Sequence, residues 1–376
     1  MVYLSLGSNL GNKLNNLQKA VFLIHDRLGE VMRLSHIYQT PAFGFEGEDF
    51  YNACLSLETT LSPQRLLEEV LRIEKELGRI RYEEEGYQPR TIDIDILYYA
   101  HEVVISDHLV IPHPELQYRK FVLKPLSDIA PQFYHPILAK DTRNLIQECR
   151  DKSVLERTEH QLFRNSGELF SHLNFIAIEG NIGAGKTTLA KKIAEEFNAK
   201  LVLERFADNA FLPKFYEDPG RYAFPLEMAF LADRYQQFSD DTSQYDLFKS
   251  FMVSDYDIYK SLIFAKITLQ DEEFALYRKL FNLMYKEVKK PKIYVYLYQN
   301  TARLLDNIKK RGREYEQNIA PDYLEKINRG YFDFIKSYPE KNNLVIDISE
   351  LDFVAHEKDY NFILDKLLEF AVNLPH

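Results

Sequence analysis

Cysteine is almost missing from this chain of 376 residues, with only Cys54 and Cys149 present. Two thiols can build neither a disulfide framework nor a thiolate zinc site, so a stapled secreted scaffold and a zinc module are both excluded. No run of 18 or more apolar residues occurs, which argues against a transmembrane helix. The first eleven residues lack both a basic leader and a long apolar stretch, so no secretory signal is read there, and a cytoplasmic location is expected. Positive charge is in deficit, with a formal net charge of −10. Without a global positive field, a general nucleic-acid or anionic-membrane role is disfavoured. Binding of ATP is not, because a few arginines and a backbone cradle suffice for it. Internal repeats and low-complexity segments are also lacking.

What is present is material for two folded domains. The length exceeds the size at which one core usually stops growing, and 45% apolar with 28% charged residues is ordinary for globular protein. Residues 2–6 read as a strand. Leu14, Leu17, Val21, Ile24 and Leu28 recur at helical spacing, and a strand-like stretch follows at 31–38. Leu66, Val70, Ile73 and Leu77 mark a second helix, opened by Ser62-Pro63. Residues 91–99 form a strong strand with Ile92, Ile94 and Ile96 on one face. The pattern predicts an α+β domain over 1–160, with helices on a mostly antiparallel sheet. Polar residues around Arg164-Asn165-Ser166-Gly167 predict a linker over 161–173 that permits independent motion. A buried strand, a glycine loop and a helix then open a parallel α/β domain with many helices over 174–376.

In the second domain, Gly180-Asn-Ile-Gly183-Ala-Gly185-Lys186-Thr187, followed by Thr188, fits the phosphate-cradling pattern between a strand and a helix. Its glycines let backbone N–H groups turn toward phosphate oxygens at the positive end of the helix. Lys186 is expected on the terminal phosphates of ATP and the Thr187 hydroxyl on Mg²⁺. Farther along come Glu204 at the end of a short apolar strand, Tyr216 and Glu227 on either side of Pro-Gly-Arg-Tyr222, Arg234, and Arg311-Gly-Arg313 before Glu316. In this order behind a phosphate loop, these segments resemble the deoxynucleoside kinase family from residue 174 onward. The resemblance implies that Glu204 takes the proton of the nucleoside 5′-hydroxyl and that Arg311 and Arg313 stabilise the transferring phosphoryl group. It further implies that Tyr216 and Glu316 grip the sugar 3′-hydroxyl, that Arg234 contacts the base, and that the kinase dimerises through helices of this domain.

Two positions depart from that family. Where a glutamine usually reads the base, this chain has Glu227, which when ionised only accepts hydrogen bonds. It suits base edges rich in N–H donors, and a purine preference is expected, with adenine or guanine left open. The family's acidic-Arg-Ser motif is replaced by Asp255-Tyr256-Asp257. Asp255 can serve the metal side, but the arginine is missing, and Lys260 is a candidate substitute.

In the first domain, Arg90-Thr-Ile-Asp93-Ile-Asp95 places two carboxylates on one face of a strand. Side by side they call for a cation, and Mg²⁺ prefers such ligands. Arg79, Arg81 and Arg90 nearby suit a polyphosphate substrate. Together with Gly7-Ser-Asn-Leu-Gly11, Thr40-Pro41, Phe43, Phe50-Tyr-Asn52, Pro112-His113-Pro114, Arg119 and Phe121, these residues resemble 6-hydroxymethyl-7,8-dihydropterin pyrophosphokinase of folate synthesis. The resemblance implies that Phe50 and Phe121 sandwich the pterin and Asn52 reads its edge, helped by Thr40 and Phe43. Asp93 and Asp95 would hold Mg²⁺ on ATP, with Arg79, Arg81, Arg90, His113 and Arg119 handling phosphate charge. Tyr87 matches a loop aromatic, and Glu74 is either a site support or a helix-surface residue. The expected partners are small molecules: the pterin, a deoxynucleoside and ATP. Two alternatives for the second domain are a nucleoside monophosphate kinase and a non-catalytic nucleotide-binding or assembly module.

Overall fold

Strand β1 (Val2–Ser8) is buried along nearly its whole length because strands pair with it on both edges. The structure is a computed structural model that describes residues 1–41, 47–80, 89–205, 209–243, 249–286, 288–339 and 342–374. Of the expected site residues, Phe43, Arg81 and Tyr87 lie outside the described residues. The chain divides into two units, Met1–Leu169 joined by the segment from Val372 onward, and Phe170–Ala371.

In the first unit, helix α1 (Lys13–Leu28) follows β1, with the Asn12 side chain accepting from the Asn15 N–H at 3.1 Å. Its buried face is the expected one: Leu14, Leu17, Val21, Ile24 and Leu28. The helix ends at Gly29, where φ is 143° and a Cβ would lie 2.1 Å from the Glu58 carbonyl oxygen, so only glycine fits. The stretch expected as one strand is two, β2 (Glu30–Leu34) and β3 (Tyr38–Thr40), both pairing with the long β4 (Phe50–Glu58). Helix α2 (Pro63–Glu76) starts at the Ser62 cap, as the Ser-Pro pair predicts. Strand β5 (Asp93–Tyr99) completes the site edge of the sheet. A short hairpin, β6 (Val104–Ile105) and β7 (Val110–Ile111), precedes helices α3 (Lys120–Ile129) and α4 (Thr142–Glu148) and strand β8 (Glu156–Arg157). The six-stranded sheet runs β5-β1-β4-β3-β8, with β2 also on β4, and every pairing is antiparallel. Leu97 and Tyr98 of β5 pack with Val122, Leu123 and Leu126 of α3 in its core.

The expected linker is built structure. Leu162 and Phe163 are buried, and the Gln18 side-chain amide both donates to the Phe163 carbonyl at 2.7 Å and accepts from its N–H at 2.9 Å. Helix α5 (Ser166–Leu173) follows, and the two units divide inside it. Its polar residues are a start signal: Asn165 accepts from the Glu168 N–H at 2.9 Å, and Glu168 accepts from the Arg164 N–H at 2.7 Å. This reciprocal pairing is close to a capping box, which is why a helix start reads as a polar linker.

The second unit opens on β9 (Phe175–Gly180), buried throughout and central in a five-stranded parallel sheet. Helix α6 (Lys186–Glu196), β10 (Lys200–Val202), α7 (Leu212–Glu217), α8 (Pro219–Ser243) and β11 (Met252–Ser254) follow. Then come α9 (Lys260–Thr268), α10 (Asp271–Tyr285), β12 (Ile293–Tyr298), α11 (Thr301–Arg311), α12 (Pro321–Ser337), β13 (Asn343–Asp347) and α13 (Glu357–Val372). The sheet order is β10-β11-β9-β12-β13. Its core is rich in aromatics, with Phe238, Tyr256, Tyr277, Tyr296 and Tyr331 buried together. In open parallel sheets, ligands bind outside the carboxyl ends of the strands. The segments following β9, β10 and β11 there carry Lys186, Glu204 and Asp255.

Candidate active sites

In the first unit, the register of β1 with its neighbours sets Gly7 between Asn52 and Asp93, and Ser5 opposite Asp95. Period-2 alternation on β5 turns both aspartates to one face while Ile94 and Ile96 are buried on the other. A cleft of about 840 Å³ lies over this face, lined by Thr40, Phe50, Asn52, Arg79, Arg90, Asp93, Asp95, His113, Arg119 and Phe121. It therefore collects every described residue expected there. Sequence reasoning missed Asp107 and His108 from the turn of the β6–β7 hairpin and Tyr118 before α3, all of which also line it. Their only signal was proximity to the Pro-His segment.

Arg79 and Arg90 both bind Asp93, and Arg79 also binds Glu74. Glu74 is buried and accepts from the Ile94 N–H at 2.8 Å, so it supports the site from beneath rather than lying on a helix surface. Asp95 is held loosely, 3.9 Å from both His113 Nε2 and Arg119 Nη1. Burial and the neighbouring Asp93 push its carboxyl up, and a bound cation would reverse that. Burial, then Arg119, pushes His113 down to about 4, so it is neutral near pH 7. Its Nδ1 accepts from the Glu115 N–H at 3.2 Å, which leaves the proton on Nε2, the nitrogen facing Asp95. Asn52 donates to the Thr40 hydroxyl at 2.8 Å, which orients its amide. The donor set of two same-face carboxylates fits Mg²⁺, which keeps waters and takes substrate phosphate oxygens for its remaining ligands.

In the second unit, Gly183 and Gly185 sit at φ 85° and 81°, the left-handed conformations a phosphate loop needs. Lys186 Nζ donates to the Asn181 carbonyl at 3.0 Å, so it curls back over the loop; burial and nearby Lys260 push its ammonium down. Thr187 donates to Asp255 Oδ2, and the Glu204 N–H donates to Asp255 Oδ1 at 2.8 Å. A tight cleft of about 120 Å³ gathers Lys186, Thr187, Glu204, Tyr216, Glu227, Arg234, Asp255, Arg311, Arg313 and Glu316. Phe215, Phe230, Phe264 and Tyr323, which no motif singles out, supply its apolar walls.

Glu204 accepts from Arg234 at 2.6 and 3.0 Å and from Lys260 at 2.6 Å. Burial opposes its charge, but Lys260 and Arg234 outweigh it and hold the carboxyl well below the usual range. Lys260, the candidate for the missing arginine, thus stands on this carboxylate. Arg234, expected on the base, lines the cleft and hydrogen-bonds Glu204 and, at 2.6 Å, the Ser261 hydroxyl. Two buried charges 30 positions apart pair more strongly than either would with a neutral base, a pairing that sequence spacing does not display. Arg311 and Arg313 both bind Glu316, the latter at 3.1 Å. Glu227 is buried, its Oε1 accepts from Thr268 at 3.1 Å, and its Oε2 has no partner among the described residues. Burial pushes its carboxyl up to about 7, against Arg234 and the Thr268 hydrogen bond.

The fold and these clefts define two phosphate-transferring sites on one chain, one over an antiparallel sheet and one at a P-loop. The family model described as deoxynucleoside kinase matches residues 176–372, and that described as 7,8-dihydro-6-hydroxymethylpterin-pyrophosphokinase matches residues 3–131. Deoxyguanosine kinase of Bacillus subtilis is 39% identical over 203 residues, covering 53% of this chain and 98% of that protein. The 2-amino-4-hydroxy-6-hydroxymethyldihydropteridine pyrophosphokinase of Synechocystis is 43% identical over 144 residues, 38% of this chain and 73% of that protein. Folic acid synthesis protein fol1 of Pneumocystis carinii is 38% identical over 154 residues, 41% of this chain, which spans only 20% of its length. The chain belongs to both families, to the pterin pyrophosphokinases through its first unit and to the deoxynucleoside kinases through its second. Both families imply use of ATP. Among the described residues, no helix is long and apolar enough to cross a membrane.

Proposed function

We propose that the chain carries out two ATP-dependent reactions: pyrophosphorylation of 6-hydroxymethyl-7,8-dihydropterin, releasing AMP, and 5′-phosphorylation of a purine deoxynucleoside, releasing ADP. The observation that carries the second is the convergence of Lys186, Thr187, Glu204, Arg311 and Arg313 on one cleft. Asp93 and Asp95 in the first site, and Thr187 and Asp255 in the second, would hold Mg²⁺, which when bound neutralises polyphosphate charge.

In the first site, Phe50 and Phe121 receive the pterin ring between them and Asn52, oriented by Thr40, reads its edge. The substrate hydroxyl attacks the β-phosphorus and releases its proton to solvent, and the bond from that phosphorus to the oxygen retained by AMP breaks. Arg79, Arg90, His113 Nε2–H and Arg119 offset the charge developing on the phosphates. In the second site, the nucleoside 5′-oxygen attacks the γ-phosphorus, its proton passes to Glu204, and ADP leaves. Lys186 and the backbone around Gly180, Gly183, Gly185 and Thr188 hold the donor phosphates. Arg311 and Arg313 move from Glu316 onto the transferring group, which frees Glu316 to join Tyr216 on the sugar 3′-hydroxyl.

Glu227 faces the base, and its unpartnered Oε2 supports a base rich in N–H donors. Guanine, with N1–H beside its 2-amino group, fits best, in line with the name of the Bacillus subtilis relative. The chain acts in the cytoplasm on small molecules, and it forms a homodimer through its kinase unit. The exposed Leu276 and Leu283, seven residues apart on α10, support that contact. Chromatography of products from the purified chain, Mg²⁺-ATP, each of the four deoxynucleosides and the pterin tests the reading. Deoxyguanosine monophosphate with ADP, and pterin diphosphate with AMP, are expected. A preference for thymidine would refute the base assignment, and ATP binding without nucleoside turnover would refute the kinase reading.

A further inference from the structure

Thr268, the last residue of α9, stands between two acceptors. Its Oγ1 lies 2.9 Å from the Phe264 carbonyl oxygen, one turn back in the same helix, and 3.1 Å from Glu227 Oε1 on α8. A threonine hydroxyl has one proton and two lone pairs, so it donates to one of these at a time. With Glu227 ionised, the hydroxyl proton serves Oε1. With Glu227 neutral, the hydroxyl donates back to Phe264, a common threonine habit in helices. Its lone pair then receives the carboxyl proton from Oε1. In both states Oε2 is left as a bare acceptor, buried and without a partner among the described residues.

We propose that the Thr268 hydroxyl is a positioning group for base selectivity: by engaging Glu227 Oε1 in either protonation state, it keeps Oε2 an acceptor. The site then admits bases that present N–H donors and rejects the carbonyl oxygens of thymine. This deepens the reading of Glu227 as the base-facing carboxylate and rests on it. Since burial pushes the Glu227 carboxyl up to about 7, both of its forms are populated near neutrality. Without Thr268, the neutral acid could carry its proton on Oε2 and donate to a carbonyl.

The other titratable or charged groups around Glu227 are Arg234 on its own helix, Lys260 on α9, Glu204 after β10, Tyr277 on α10 and Tyr323 on α12. Tyr277 donates to the Glu227 backbone carbonyl, at 3.4 Å, rather than to its carboxylate. Among the described residues, Thr268 alone hydrogen-bonds the carboxylate.

The test measures kcat/KM for deoxyguanosine and thymidine at pH 6.5 and 8.5 in the full chain and its T268V, T268S and E227Q variants. Ratios within one preparation are insensitive to the fraction folded. The deoxyguanosine-to-thymidine ratio of T268V is expected to fall about tenfold at pH 6.5, the worth of one hydrogen bond to an ionisable group. The fall is smaller at pH 8.5, where the carboxyl has lost the proton it would misplace, and T268S keeps the wild-type ratio at both. Equal scaling of both substrates in T268V, the same fall at both pH values, or failure of serine to preserve the ratio would overturn the proposal. E227Q separates the two readings. An unchanged ratio in E227Q sinks the base-facing role itself, while a changed ratio with T268V unaffected sinks only the role of Thr268.

Discussion

In the first unit the cleft is wide, about 840 Å³, and Asp95 stands 3.9 Å from both His113 and Arg119. In the second it is about 120 Å³, and Glu204 touches two cations at 2.6 Å. The difference matches the role proposed for each carboxylate. In the proposed reaction Asp95 would gain a cation together with substrate, which calls for open space and loose neighbours before then. As the proposed base, Glu204 would have to stay ionised inside a buried pocket until it receives a proton, and burial alone would neutralise it. Arg234 and Lys260 prevent that, at a cost in basicity that proton transfer offsets once phosphoryl transfer makes the 5′-hydroxyl acidic. The second unit thus holds its carboxylate charged with its own cations, whereas in the first, burial and Asp93 push the Asp95 carboxyl up.

The largest effect expected from breaking this contrast is in Glu204→Ala, which should lower nucleoside kcat by about 10²–10⁴-fold, the usual worth of a general base. Rates with saturating deoxyguanosine measure it, and a loss under fivefold would remove Glu204 from that role. Lys260→Met should lower the same kcat by about 10–100-fold, the worth of one charge-assisted hydrogen bond. KM for ATP rising alone would place Lys260 on the donor instead. The third test concerns stability. Glu227 has its carboxyl raised from 4.5 to about 7 by burial. Its folded form binds a proton more tightly than the unfolded chain does, so its contribution is full below about pH 4.5 and lost as pH climbs through 7. Glu227→Gln should remove up to about 3 kcal/mol of that pH dependence, by the conversion of pKa shift into free energy. Urea midpoints of the kinase unit at pH 5.5 and 8 would show it, with buried Glu179, also raised, leaving a residual slope. The smallest effect is Asn165→Ala, expected to cost about 1 kcal/mol as a lost helix cap. No change would restore the view of residues 161–173 as an unstructured joint.

Most of the architecture was legible because its signals are local. The five apolar positions of α1, the Ser62 cap and the alternation through Asp93 and Asp95 all depend on neighbours within a few residues. Short motifs also carried the described residues expected in the first site, which line one cleft. What was not legible depends on pairs distant in sequence. Arg234 and Glu204 meet across 30 positions, and Gln18 secures Phe163 across 145, which makes a polar-looking stretch part of a core. Asn165 and Glu168 carried a readable helix start, but the run Arg164-Asn165-Ser166-Gly167 masked it. The walls formed by Phe230, Phe264 and Tyr323 resemble ordinary core until the cleft is seen.

The most direct test of two separate sites on one chain is to measure AMP and ADP release in parallel from the Asp95→Asn and Glu204→Gln variants, each given both substrates with Mg²⁺-ATP. Asp95→Asn should abolish pterin-dependent AMP while leaving nucleoside-dependent ADP at the wild-type rate, and Glu204→Gln should do the reverse. Loss of both products in either variant would contradict independent sites.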